Sequence, residues 1–261
     1  MRERCKYCVI TLFLLVHLIL LTPLAQGQAV HVDAMGSIWL IKENSVNRVD
    51  HNGNHLGSYK NLLLGKPTSL DVSDPFRILV FYKESQNILL LNNDANIIGQ
   101  PVNLNELGLG EIILACRSTR GGVWLYHRVS AEFVRLDQRL VSVVQRIPFS
   151  SIDNNSHPNH ILQEDGVLFA GMNNKMIYRI DEYGTILPKL EIPYENTFRI
   201  QNDKLLAFHN NQTIGYYLKN PEANPVKYDC PCQALAVILN NHLMCFDGKT
   251  FRFCKKNNPL P

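Results

Sequence analysis

Residues 70–93 read LDVSDPFRILVFYKESQNILLLNN. Two apolar runs, 77–82 and 88–91, are too short for helices and are bounded by turn formers, which is the signature of strands. Ser73-Asp74-Pro75 supplies a turn before the first run, and the polar stretch 83–86 a loop between the two. Working outward, residues 69–72 make a strand on one side. After a turn at residues 92–96, residues 96–104 make another on the other side. The stretch is therefore the centre of a four-stranded antiparallel unit.

The same outline recurs along the chain. The second strand of each copy begins near Ile38, Ile78, Val123, Val167, Leu205 and Leu243, at intervals of 40, 45, 44, 38 and 38 residues. Four strands in roughly 40 residues is the period of propeller blades. A helical solenoid fails because the apolar runs are β-branched and broken by Asn, Asp and Gly. A β-sandwich is the rival, but it would not require a regular period. The expected fold is all-β: a β-propeller of about six four-stranded blades, forming one domain over residues 28–261. The sixth copy offers only three strands, so the last blade is either incomplete or closed by the N-terminal strand near residues 29–33.

The first 27 residues stand apart. Arg2, Arg4 and Lys6 precede an apolar run at 9–21, and Leu24-Ala25-Gln26-Gly27 places small residues before a cut at Gln28. This is the three-part pattern of a secretory signal peptide. The run falls short of the roughly 20 residues that span a bilayer, so no transmembrane segment is expected after cleavage. Cys5 and Cys8 lie ahead of the run, so no lipid anchor is expected either. The full chain carries a formal charge of +3; losing three basic residues and one acid leaves +1. A near-neutral chain has no net pull on nucleic acid, and none is expected as a partner.

Five cysteines follow the leader: Cys116, Cys230, Cys232, Cys245 and Cys254. Four fall near the C-terminus with a spacing unlike that of zinc sites, and export favours disulfides over metal. Cys245 and Cys254 flank an Asp247-Gly248 turn but are not directly opposite in either hairpin register. A bond from Cys230 or Cys232 to one of them is easier to build, and such a staple would act where the ring closes. Small buried thiols are the alternative.

Three pieces carry a resemblance to a known type: HVDAMGSIWLI (31–41), SLDVSDPFRILVFYKESQNILLLNN (69–93) and GGVWLYHR (121–128). They resemble an uncharacterised group of secreted, six-bladed-propeller-like proteins of Bacteroidetes, more distantly similar to NHL-type repeats. The resemblance covers most of residues 30–220, and the middle piece is its most specific part. It implies the propeller fold and an exported location. It implies no catalytic residues.

Strands of a blade alternate in direction, so the loops between second and third strands all lie on one face. These are residues 42–45, 83–86, 127–130, 171–175, 209–212 and 247–249. Each holds a cation or histidine: Lys42, Lys83, His127 with Arg128, Lys175, His209 and Lys249. Such a ring could attract an anionic ligand. Surface loops are often about a quarter to a third charged, however, and Glu43, Glu84 and Asp247 offset part of it. Asp153, His157 and His160 share a polar loop, but Pro158 splits the histidines, and no metal site is assigned. Trp39, Phe81, Tyr82, Trp124 and Tyr126 read as blade core. No nucleophile elbow, phosphate loop or dinucleotide fingerprint is present.

The expected role is an exported binding or scaffolding module of the cell envelope, periplasmic, outer-membrane-associated or secreted. Its partner would be an envelope protein or an anionic ligand, with no cofactor. The alternative is a lactonase- or lyase-like enzyme with a metal site at the central channel.

Overall fold

The computed structural model describes residues 30–149, 156–220, 222–230, 236–239, 242–246 and 251–256. The leader, Cys232, Asp153, Lys249 and the 247–249 hairpin lie outside these residues. Six antiparallel sheets follow one another in chain order, and among the described residues there is no helix. The chain is a six-bladed β-propeller.

The first blade holds β1 (Val30–Val32), β2 (Ile38–Lys42), β3 (Ser45–Val49) and β4 (His55–Lys60). The second holds β5 (Ser69–Asp71), β6 (Ile78–Tyr82), β7 (Asn87–Leu91) and β8 (Ile97–Asn103). The third holds β9 (Ile112–Arg117), β10 (Val123–His127), β11 (Glu132–Leu136) and β12 (Val143–Pro148). The fourth holds β13 (His160–Glu164), β14 (Val167–Met172), β15 (Met176–Ile180) and β16 (Ile186–Leu190). The fifth holds β17 (Phe198–Gln201), β18 (Lys204–His209), β19 (Gln212–Tyr217) and β20 (Val226–Asp229). Among the described residues the sixth has β21 (Val237–Leu239), β22 (His242–Phe246) and β23 (Phe251–Phe253).

Local sequence explains the hairpins. Asn202-Asp203 and Asn210-Asn211 take positive φ at both positions, as a two-residue turn between twisted strands demands. Turns after the third strand use one device four times. Asp50, Asn92, Asp137 and Asp181 each accept two backbone N–H groups through one side-chain oxygen, at 2.7–3.3 Å. Gly53, Ala95, Leu140 and Gly184 then occupy the left-handed position. Leu140 thus belongs to a turn, and β12 begins three residues later.

Packing follows from strand alternation. On β6, Ile78, Val80 and Tyr82 join Trp39 and Val46 of the first blade. Leu79 and Phe81 of the same strand join Val123 and Leu125 of the third. On β10, Trp124 and Tyr126 turn the other way, toward Leu168 and Ala170 of the fourth. Phe169 then packs with Phe198, Leu205 and Ala207 of the fifth. The second-strand aromatics are core, as their apolar context implies; Trp39, Phe81, Tyr82, Trp124 and Tyr126 are all buried.

The ring closes without a borrowed strand. β1 stays in the first blade, paired with β2, so the N-terminal strand does not complete the sixth. After β23 the chain instead turns back, and β24 (Lys255–Lys256) pairs with β20, giving the fifth sheet an extra strand. The Cys230–Cys254 disulfide fixes that return. The staple thus clamps the last blade to the fifth rather than to the first. Cys245 is also disulfide-bonded, while Cys116 is free and buried.

Two outcomes follow. Gly122 sits at φ 81° in the turn before β10, where a Cβ would collide with the Leu136 carbonyl oxygen and lie 2.7 Å from that of Asp137. Gly122→Ala is expected to cost about 2–4 kcal/mol, read as a fall in melting temperature. The disulfide spans 24 residues. Paired Cys230→Ser and Cys254→Ser substitutions should cost about 3 kcal/mol, or several degrees in Tm.

Candidate functional site

The first strands of the first five blades, with Phe246 of the sixth, line a central channel with a cavity of about 720 Å³. These strands run in the same direction. Their N-terminal ends lie toward the face bearing the loops between second and third strands. His160 opens β13, and Arg199 and His31 are second in β17 and β1. These three occupy the half of the channel nearer that face. Asp71 ends β5 and Glu164 ends β13, so the carboxylates lie at the opposite end.

The chemistry of these groups follows from burial. The Arg199 guanidinium is lowered to about 10 because it is desolvated. One of its nitrogens donates to the Val30 carbonyl across the channel, and among the described residues no carboxylate forms an ion pair with it. Burial first, and the Arg199 charge second, hold His31 well below the ordinary histidine range. His160 is lowered to about 4, chiefly by burial, with Arg199 adding to the effect against a hydrogen bond involving Phe198. His160 Nε2 also lies 3.2 Å from the Thr197 hydroxyl, and its ring packs edge-on to Phe198. At the far end the Asp71 carboxylate is tied to the backbone. It accepts the Arg117 N–H at 2.7 Å and the Ser73 N–H at 2.9 Å. Burial, and then Asp165 and Asp71, push Glu164 up.

A second cavity of about 420 Å³ lies on the opposite face. There Arg117 meets Asp74 at 3.3 Å, so its charge is already matched.

The expected basic ring divides on inspection. Lys42, Lys83 and Lys175 are exposed, with no carboxylate in ion-pair reach among the described residues. Arg128 is paired with Glu111 at 2.6 Å. His209 lies 3.7 Å from Glu195. The His127 ring nitrogen accepts the Ser130 N–H at 3.1 Å and closes its own hairpin. Lys249 is outside the described residues. Three lysines remain as free cations around the mouth. His157 contacts the Tyr126 hydroxyl at 3.2 Å while His160 faces the channel. Among the described residues no group of three or more His, Cys, Asp or Glu is arranged to hold a metal ion.

Reading the hairpin loops alone passed over the channel. The signal was available: polar residues in first strands, which line the axis of any propeller. His31, Asp71, His160, Glu164 and Arg199 all sit there.

No family model matches the chain, and no curated protein does. Solved structures share its architecture. A streptogramin B lyase is 16% identical, with a TM-score of 0.56 over 92% of this chain and 86% of its own. The Neurospora crassa Pan2 WD40 domain is 9% identical, with a TM-score of 0.56 over 89% and 88%. A structure described as a nidogen/laminin complex gives 14%, 0.55, and 75% and 78%. At such identities the likeness establishes the propeller and nothing about activity.

Protonating a buried histidine opposes folding. The His160 pKa is about 4 in the folded state against about 6.5 unfolded. The unfolded chain therefore binds more protons between those values. Stability is full above about pH 6.5 and declines as pH falls toward 4, by on the order of 2–3 kcal/mol from this group. Melting curves across that window should show the decline, and His160→Gln should reduce it, His31 supplying the remainder.

Proposed function

We propose that this propeller is an exported binding or scaffolding module that takes an envelope protein on the face bearing the loops between second and third strands. The observation that carries the reading is an apolar and basic patch held rigidly on that face. Leu63, in the connector between β4 and β5, is 93% exposed, and neighbouring Leu62 is 69% exposed. The connector is pinned to the adjacent 83–86 hairpin. Ser85 Oγ donates to the Leu64 carbonyl at 2.8 Å, and the Lys83 N–H donates to Thr68 Oγ1 at 3.0 Å. Val129, at the tip of the 127–130 loop, is also exposed on this face. Large apolar side chains held in water by fixed loops, with Lys83 on the hairpin pinned to the connector and Lys42 and Lys175 on other blades of the same face, suit recognition of a protein surface.

Export rests on the leader pattern in residues 1–27. Among the described residues no helix is long and apolar enough to cross a membrane. The structural neighbours named as a lyase and as part of a complex leave both classes open. An enzyme of the lyase kind would need several ligands converging on the axis, and among the described residues no group of three or more His, Cys, Asp or Glu is arranged to hold a metal ion.

One preparation tests both parts. A C-terminally tagged chain recovered from the envelope fraction should have the mass of a protein beginning at Gln28. Crosslinking should trap a partner that Leu63→Asp with Lys83→Glu loses by tenfold or more, without a change in melting temperature. Recovery of uncleaved chain from the cytoplasm would overturn the export reading. A trapped partner indifferent to the double substitution would overturn the face.

A further inference from the structure

We propose that the axial channel binds a small molecule bearing an oxyanion, a carboxylate or a phosphate, whose head group pairs with Arg199. This goes beyond the partner face and stands whether or not that face takes a protein.

The argument starts from an unmatched charge. Arg199 lines the cavity deep within the ring, and its hydrogen bond to the Val30 carbonyl uses one of five N–H donors. Five other arginines have an acidic partner: Arg48 has Asp94, Arg117 has Asp74, Arg120 has Glu182, Arg128 has Glu111 and Arg146 has Glu132. Arg199 has none among the described residues. A desolvated guanidinium without a counter-ion is costly, and an entering oxyanion accepting from its planar fork would remove that cost. The Arg199 chain already spans from β17 to β1, so the fork is held in place before a ligand arrives.

The surroundings fit the same ligand. His31 from β1 and His160 from β13 lie in the same half of the channel as Arg199, and Thr197 offers a hydroxyl to His160. From β5 the facing charge is Asp71, which is tied to the Arg117 and Ser73 N–H groups. From β9 the titratable group is the buried Cys116 thiol, pushed well up by burial. From β13 there is also Glu164, at the far end, and from the connector before β17 Glu195, which faces His209. The acids are thus engaged or distant, and the half nearer the lysine-bearing mouth is basic. Lys42, Lys83 and Lys175 would raise the local concentration of an anion there. The cavity volume lies within the range of small-molecule sites, and Leu114 and Leu162 give it apolar wall. A ligand with a short apolar body behind its head would cover both.

Binding should depend on pH with a definite sign. Burial, with Arg199 adding to it, lowers the pKa of both histidines. An oxyanion beside Arg199 reverses the local field and lets one imidazole take a proton and donate. If that restores an ordinary histidine pKa, affinity rises about tenfold from about pH 7.5 to about pH 5.5.

The test is calorimetric titration of the full chain with inorganic phosphate, acetate and octanoate, against sodium chloride at equal ionic strength. Nitrogen-15 spectra of the histidine side chains are recorded in parallel. Saturable millimolar or tighter binding is expected, tighter at the lower pH, with octanoate above acetate if the head is a carboxylate. Arg199→Gln should weaken it tenfold or more, Arg199→Lys should retain part of it, and Arg146→Gln should leave it unchanged. If Arg199→Gln does not fold, the wild-type spectra decide. An upward shift of the His160 or His31 pKa on adding phosphate or octanoate supports the site. Unmoved histidines with no saturable heat overturn it, as does binding that survives Arg199→Gln.

Discussion

Side chains alternate across a strand, and in this ring each face of a second strand has a different blade to bury against. That double burial is what the rest of the molecule depends on. It places Ile78, Val80 and Tyr82 with one neighbour and Leu79 and Phe81 with the other. Each fully buried aliphatic or aromatic side chain contributes about 1.5–3 kcal/mol. Surface ion pairs such as Arg128–Glu111, about half exposed on both sides, give about 0–1 kcal/mol. Cohesion between blades is therefore apolar, and the charged groups are free for other uses. Lateral hydrogen bonding holds each sheet together, but only this packing turns separate sheets into a ring.

Closure is where that rule runs short. Among the described residues the sixth blade has no fourth strand, and its core is small: Ala236 and Cys245, with Cys230, Leu243 and Cys254 against them. Its attachment to the fifth blade is reinforced by other means. The disulfide and the β20–β24 pairing bind it from outside. Gln201 of β17 accepts the Ile238 N–H at 2.9 Å on the inside. Arg199 then reaches past it to Val30 of the first blade. A side chain that bridges the weak quarter of the ring is also the half-buried cation of the channel.

The channel is a product of convergence. His31, Asp71, His160 and Arg199 are far apart in the chain, and only the blade period of about 40 residues relates them. Each sits in a short first strand beside residues that would look unremarkable in any strand. The pKa values of His31, His160 and Arg199 are lowered chiefly by burial, which only the assembled ring supplies. Groups on the hairpin loops behave differently, since loops keep their solvent and usually find a local partner, as Arg128 does in Glu111 and His127 in Ser130.

Much of the architecture was legible in the chain itself. The period of apolar runs marks six copies to within a residue of β2, β6, β10, β14, β18 and β22, because burial on both faces forces continuous apolar strands. Asp, Asn and Gly mark the turns, because positive φ and side-chain caps restrict what can stand there. The short last copy was visible too, as a unit with one strand too few. What only the tertiary structure decided was how the ends are used. β1 stays at home, β24 doubles back to β20, and Cys230 bonds Cys254, since pairing between segments distant in sequence is a matter of proximity that local pattern does not encode. The same holds for the site. The residues of the basic ring could be named in advance, but which of them keep a free charge, and that a lone arginine lies on the axis, depended on neighbours that only folding brings together.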